Sequence, residues 1–201
     1  MADRVFLNLW LPPRAQPTLA PLEAALRALP ESRLAPGVRG VRVTPLDWTQ
    51  PALLEERFAP GLAIAEAIAL LREHLHDDYA FEAESAWDVW VPASAPPGSP
   101  WQRTPSPVRV ALFGPHFESA AAACPREEGD LAIDLGPEAL FLAPEQPANV
   151  ETKRKFQENL AALVAFSNRL AAAVHPDRRR LWSEAEEDFS ARITARLQWV
   201  Q

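Results

Sequence analysis

The stretch Tyr79–Pro92, YAFEAESAWDVWVP, decides the fold. Its polarity alternates with a period of two. Phe81, Ala83, Ser85, Trp87, Val89 and Val91 fall on one face, and Glu82, Glu84, Ala86, Asp88 and Trp90 on the other. This pattern predicts a strand with an apolar inner face and an acidic outer face, as in an antiparallel sheet with water on one side.

Other segments supply its neighbours. Val38–Pro45 (VRGVRVTP) alternates Val41 and Val43 with Arg42 and Thr44, and reads as a second half-exposed strand. Val108–Phe113 is a short apolar strand that closes at Gly114-Pro115. Val5–Leu11 is β-rich, stops at Pro12-Pro13, and carries large residues on both faces. Leu131–Leu135 and Ala139–Leu142 flank Gly136-Pro137, which leaves a hairpin and a single bulged strand both open. Ala93–Pro107 is rich in Pro and Ser and reads as a loop, and Ser119–Gly129 is a weak segment.

Four helices are expected. Pro21–Leu29 begins with a proline suited to a first turn. A second helix opens at Pro60-Gly61, with Ile64, Ile68, Leu71 and Leu75 on one face. Val150–Val174 carries the stripe Phe156, Leu160, Leu163, Ser167, Leu170 and Val174, and Pro176 stops it. Leu181–Val200 carries Trp182, Ala185, Phe189, Ile193, Leu197 and Val200. The expected fold is α+β: a mainly antiparallel sheet of about five strands packed against helices, two of them long and C-terminal. A chain of 201 residues fits one globular domain over 1–201, with the Pro/Ser-rich loop near 93–107.

Composition narrows the function classes. A chain with 48% apolar residues can build a core without staples, and its one cysteine, Cys124, excludes a disulfide framework. No apolar run approaches the roughly 20 residues that span a bilayer, and Val5–Leu11 is too short for a signal peptide. The expected setting is cytoplasmic, with no membrane partner. The net charge of -7 argues against nucleic acid, whose phosphates demand clustered cations. Eighteen of the twenty basic residues are Arg, which fits a GC-rich coding bias better than phosphate recognition.

The negative charge is confined to the middle of the chain. Residues 64–100 hold seven acids against Arg72, and residues 115–150 hold seven against Arg126. On the outer face of Tyr79–Val91, Glu82, Glu84 and Asp88 are every-other-residue acids with Trp90 in the same row. Neighbouring like charges repel and an exposed indole is poorly solvated, so a partner rich in Arg and Lys would relieve both. These four residues are the expected partner-binding site. A solvated face whose charges keep the sheet from pairing with other chains accounts for the same residues.

Other candidates carry less. Glu82 with Glu84, or Asp130 with Asp134, would need one buried member for acid–base work. His74 and His76 are two apart on an expected helix, so they do not share a face. His116 could join Asp130 or Asp134 at a metal, but no spacing demands it. Cys124 sits among acids that suppress its thiolate. Arg178-Arg179-Arg180 is expected to pair with downstream acids such as Glu184. No glycine pattern cradles a nucleotide, and no cofactor or metal site is expected.

The leading expectation is a non-catalytic protein-binding module that meets a basic protein through its acidic sheet face. Its sharpest form is a bacterial immunity-type protein, by analogy of type. The alternatives are an enzyme whose sheet carboxylates line a cleft, with a buried carboxylate or His116 in a concave pocket, and a structural subunit that homodimerises through its C-terminal helices.

Overall fold

The computed structural model describes residues 3–13, 16–93, 100–118, 129–142, 149–185, 189 and 191–193. The strands are β1 (Arg4–Trp10), β2 (Val38–Pro45), β3 (Leu54–Leu62), β4 (Tyr79–Pro92), β5 (Trp101–Phe113), β6 (Leu131–Pro137) and β7 (Arg178–Ser183). They form one sheet in the order β3-β2-β4-β5-β6-β1-β7, and every pairing is antiparallel. The α-helices are α1 (Ala20–Ala28), α2 (Ile64–Arg72) and α3 (Val150–Val174), and Glu138–Leu140 makes a short 3-10 turn after β6.

The period of two decides which face is buried. Val5, Leu7 and Leu9 of β1, Val41 and Val43 of β2, and Phe81, Ala83 and Trp87 of β4 are sealed from water. Val108, Val110 and Leu112 of β5 and Leu131, Ile133 and Leu135 of β6 join them. Helices α1, α2 and α3 cover this face, with α1 packed against both α2 and α3. From α3, Leu160, Leu163, Phe166, Ser167 and Leu170 enter the core, so its stripe is buried within the same chain. Side-chain hydrogen bonds cap the starts of α3 and α2. Asn149 accepts a hydrogen bond from the Thr152 N–H at 2.8 Å, and Glu66 accepts from the Ala63 N–H at 3.0 Å.

Among the described residues the sheet has seven strands where about five are expected, and α3 is the one long helix. The first missed strand, β3 (LEERFAPGL), is an edge strand with five of its nine residues exposed. It has no apolar alternation to read, and its Pro60-Gly61 resembles a helix opening; α2 begins later, at Ile64. The second, β7, overturns the expected second C-terminal helix at its start. The aromatic and apolar residues of RRRLWS suit a helical stripe as well as a strand, and pairing with β1 settles the choice. Trp182 stacks on Phe6 with ring centroids 5.0 Å apart, and its indole N–H donates to Asn8 Oδ1. Phe189 and Ile193 are helical and buried in the main core. Trp199 and the rest of 194–201 lie outside the described residues, as do Cys124 and most of 119–129.

The expected loop over 93–107 is also overturned in part, because β5 begins at Trp101. Pro105 and Pro107 lie inside that strand, opposite Asp88 and Ala86. Being two apart, they direct their missing donors to the same edge. That edge has no strand partner there among the described residues, since β6 pairs with β5 only from Arg109 to Leu112.

β4 has a matching free edge, because β2 reaches only to Glu84. Asn159 of α3 closes it. Its Oδ1 accepts from the Trp90 N–H at 2.8 Å, and its Nδ2 donates to the Trp90 carbonyl at 2.9 Å and to the Leu140 carbonyl at 2.8 Å. The amide side chain thus stands in for a neighbouring strand and ties α3 to both β4 and the turn after β6. Asn159→Ala strands these backbone groups, so denaturant titration is expected to show a loss of about 2 kcal/mol. Asn159→Asp, which keeps the acceptor and loses the donor, is expected to lose stability mainly near neutral pH.

Candidate functional site

No helix among the described residues covers the second face of the sheet. Strand register builds this face in rows. One row runs Arg57, Gly40, Glu84, Arg109, Asp134, Phe6 and Trp182, crossing all seven strands. The next runs Glu55, Arg42, Glu82, Ala111, Ala132, Asn8 and Arg180. At the end nearest the turn after β5, Trp48 closes edge-on over Phe113 and Phe117, which shields Ala80 and Ala111.

The acids of β4 are therefore interleaved with arginines from neighbouring strands. Glu84 Oε1 lies 2.7 Å from Arg57 Nη1. Glu82 stands between Arg42 and Arg109, with carboxylate oxygens 3.8 Å from Arg42 Nε and 3.8 Å from Arg109 Nη1. Both distances exceed a direct hydrogen bond. Arg42 Nε is shielded from solvent with no hydrogen-bond partner among the described residues. A hollow of about 60 Å³ opens here, lined by Gly40, Arg42, Glu55, Arg57, Glu82 and Arg109 among others, and has room for one or two waters. Gly40 helps to form it, since a Cβ there would come within 3.3 Å of Arg57 Cδ and the Glu56 carbonyl.

Glu82 is 9% exposed, and burial raises its pKa above the usual 4.5. Arg109 and Arg42 oppose that shift, while Glu55 and Glu84 add to it. A desolvated carboxylate in a hollow, held near two guanidiniums without direct contact, keeps acceptor capacity for an incoming donor.

The four residues singled out from sequence divide into two pairs. Glu82 and Glu84 sit together at the centre of the open face. Asp88 is engaged with the segment between α1 and β2, accepting from Ser32 Oγ at 2.5 Å and from the Arg33 N–H at 2.9 Å. Trp90 is enclosed at the far end of β4. Lys155 Nζ lies 3.4 Å and the Arg103 guanidinium 4.5 Å from the ring centroid, and the indole N–H donates to Glu158 at 2.5 Å. In the second acidic stretch, Asp134 pairs with Arg4 and Asp130 accepts from the Leu11 N–H. Glu127, Glu128 and Glu145 lie outside the described residues.

The arginine run also differs from expectation. Arg178 and Arg180 point to the open face and lie over Trp10 and Trp182, at 4.4 and 5.3 Å. Arg179 points to the helical side and donates to Asn168 Oδ1 at 3.0 Å. Glu184 instead accepts from the Arg4 N–H. The arginines Arg42, Arg57 and Arg109 were not singled out from sequence as site residues; the one trace is Arg42, read as an outward position in the alternation of Val38–Pro45. Family models, curated proteins and solved structures yield no match to this chain. No helix among the described residues is long and apolar enough to cross a membrane.

The raised pKa of Glu82 has a sign that can be tested. The folded protein holds the Glu82 proton more tightly than the unfolded chain, so this residue opposes folding most at neutral pH. The opposition fades as pH falls through the raised folded pKa and is gone below 4.5. Melting curves of the wild type and Glu82→Gln across this range are expected to converge, with the wild type gaining on the variant as pH falls. A difference that is flat with pH refutes the assignment.

Proposed function

We propose that this chain is a non-catalytic protein-binding module that receives a basic partner on its open sheet face, in the manner of an immunity-type protein masking a cationic site. The observation that supports this reading is Glu82. It is a desolvated carboxylate at the centre of a sheet face that no helix among the described residues covers, placed 3.8 Å from its own arginines without a direct hydrogen bond to them.

An incoming guanidinium or ammonium would engage the free acceptor positions of Glu82 and, by displacing Arg57, those of Glu84. The flanking Arg42, Arg57 and Arg109 offset the negative charge of the acids in the free protein. They also repel cations that arrive out of register, which gives selectivity for a partner with spaced charges over a uniformly basic one. The partner is expected to be a protein, because the face is broad and shallow and its one hollow at the acids holds only about 60 Å³.

The test is capture of partners by the immobilised chain at low and high ionic strength, compared with Glu84→Lys and Glu82→Gln. A partner held at low salt, released at high salt, and weakened at least about tenfold by Glu84→Lys supports the reading. A partner indifferent to both salt and Glu84→Lys overturns it.

A further inference from the structure

On the helical side of the sheet, away from the open face, lies a cavity of about 360 Å³. Its size falls within the range of small-molecule sites. Three groups of described residues build it: Leu11 to Pro13 and Gln16 to Thr18 between β1 and α1, the turn from α2 to β4 (Leu75 to Asp77), and the end of β5 with its following turn (Leu112 to His116). Phe81 and Leu112 make an apolar floor. Asp77, Asp130, His76 and His116 stand around it, and no lysine or arginine is among the described residues that line it.

The wall formed by the turns after α2 and after β5 is held by close backbone contacts. Pro12, Pro13, Pro17 and Pro115 line the cavity with fixed backbone. Gly114 and Asp77 lie so close that a Cβ on Gly114 would come within 2.2 Å of the Asp77 carbonyl. The His116 N–H donates to that same carbonyl at 2.9 Å, and the Gly114 N–H donates to the Tyr79 carbonyl at 2.8 Å. A preformed cavity spares a ligand the ordering cost of building one.

The polar groups are unequally engaged. His76 is bonded to Asp78, and Asp130 accepts the Leu11 N–H at 2.7 Å. Asp77 Oδ1 is shielded from solvent and has no hydrogen-bond partner among the described residues. A buried carboxylate oxygen without a donor is costly, and the terminal torsion of Asp is broad enough to turn it toward a donor in the cavity. We propose that this cavity binds a small organic cation, an amine with an apolar body, whose ammonium meets Asp77 and whose chain lies on Phe81 and Leu112.

Three probes of equal length separate charge from apolar fit: n-hexylamine, n-hexanol and hexanoate, titrated into the full chain by calorimetry. The amine is expected to bind saturably, with the alcohol and the carboxylate each at least about tenfold weaker. Histidine ring resonances locate the site: those of His76 and His116 are expected to shift with the amine, and that of His175, outside the cavity, to stay. Asp77→Asn is expected to remove the preference for amine over alcohol. Leu75→Trp, which fills the cavity, is expected to remove binding of both. Absence of saturable amine binding, equal or tighter binding of hexanoate, or a shift at His175 without one at His116 overturns the proposal using the unaltered protein alone. Binding to the open face, tested separately through Glu84→Lys, can fail or hold independently of this result.

Discussion

The pairing of β4 with β5 is the constraint from which the rest of the architecture follows. Thirteen consecutive residue pairs, from Ala80 with Phe113 to Pro92 with Trp101, make it the longest ladder in the sheet. It is longer than either outer neighbour, so both of its far edges need other partners. One edge is tolerated because Pro105 and Pro107 have no donor to lose. The other is closed by the Asn159 amide, which anchors α3 across β4. With α3 anchored and packed on α1, and α1 on α2, the helical layer has a defined position over the apolar face.

The same ladder fixes the chemistry of the opposite face. Antiparallel register brings Arg109 beside Glu84, while β2 brings Arg42 beside Glu82. Charges that would repel along one strand are neutralised across strands. This is cheaper than leaving adjacent carboxylates in mutual contact, and it blunts the face against pairing with other chains. Glu82 is the exception, being buried deeply enough to feel desolvation yet lacking a direct donor among the described residues. The charge-laced open face thus arises from the strand pairings, whereas the cavity on the helical side is built by the connections at one end of the sheet.

Much of the sheet is legible in the sequence, for physical reasons that can be named. Phe81, Ala83, Trp87 and Val89 alternate with acids because one face of β4 meets the core and the other meets water. Val41, Val43, Val108 and Val110 repeat that logic. Leu160, Leu163 and Leu170 mark α3 through its helical period. The failures lie where burial does not impose a pattern. β3 is an exposed edge, the start of β5 is stabilised by a partner on one side only, and β7 is held as a strand by Phe6 and Asn8 from a segment about 175 residues away in the chain. Of the candidate site, Glu82 and Glu84 were found by their spacing. Asp88 and Trp90 share that spacing, but their surroundings come from α3 and from the segment between α1 and β2.

The amino-acid sequence by itself determined the α+β character of this protein, the two faces of β4 and the length of α3. Each depends on periodicity within a few turns or a few residue pairs. Tertiary structure alone decided the strand count, the arginine partners of Glu82 and Glu84, the enclosure of Trp90 and the meeting of Asp77 with His116. These depend on which strands lie side by side, and an antiparallel register joins residues that no local pattern connects.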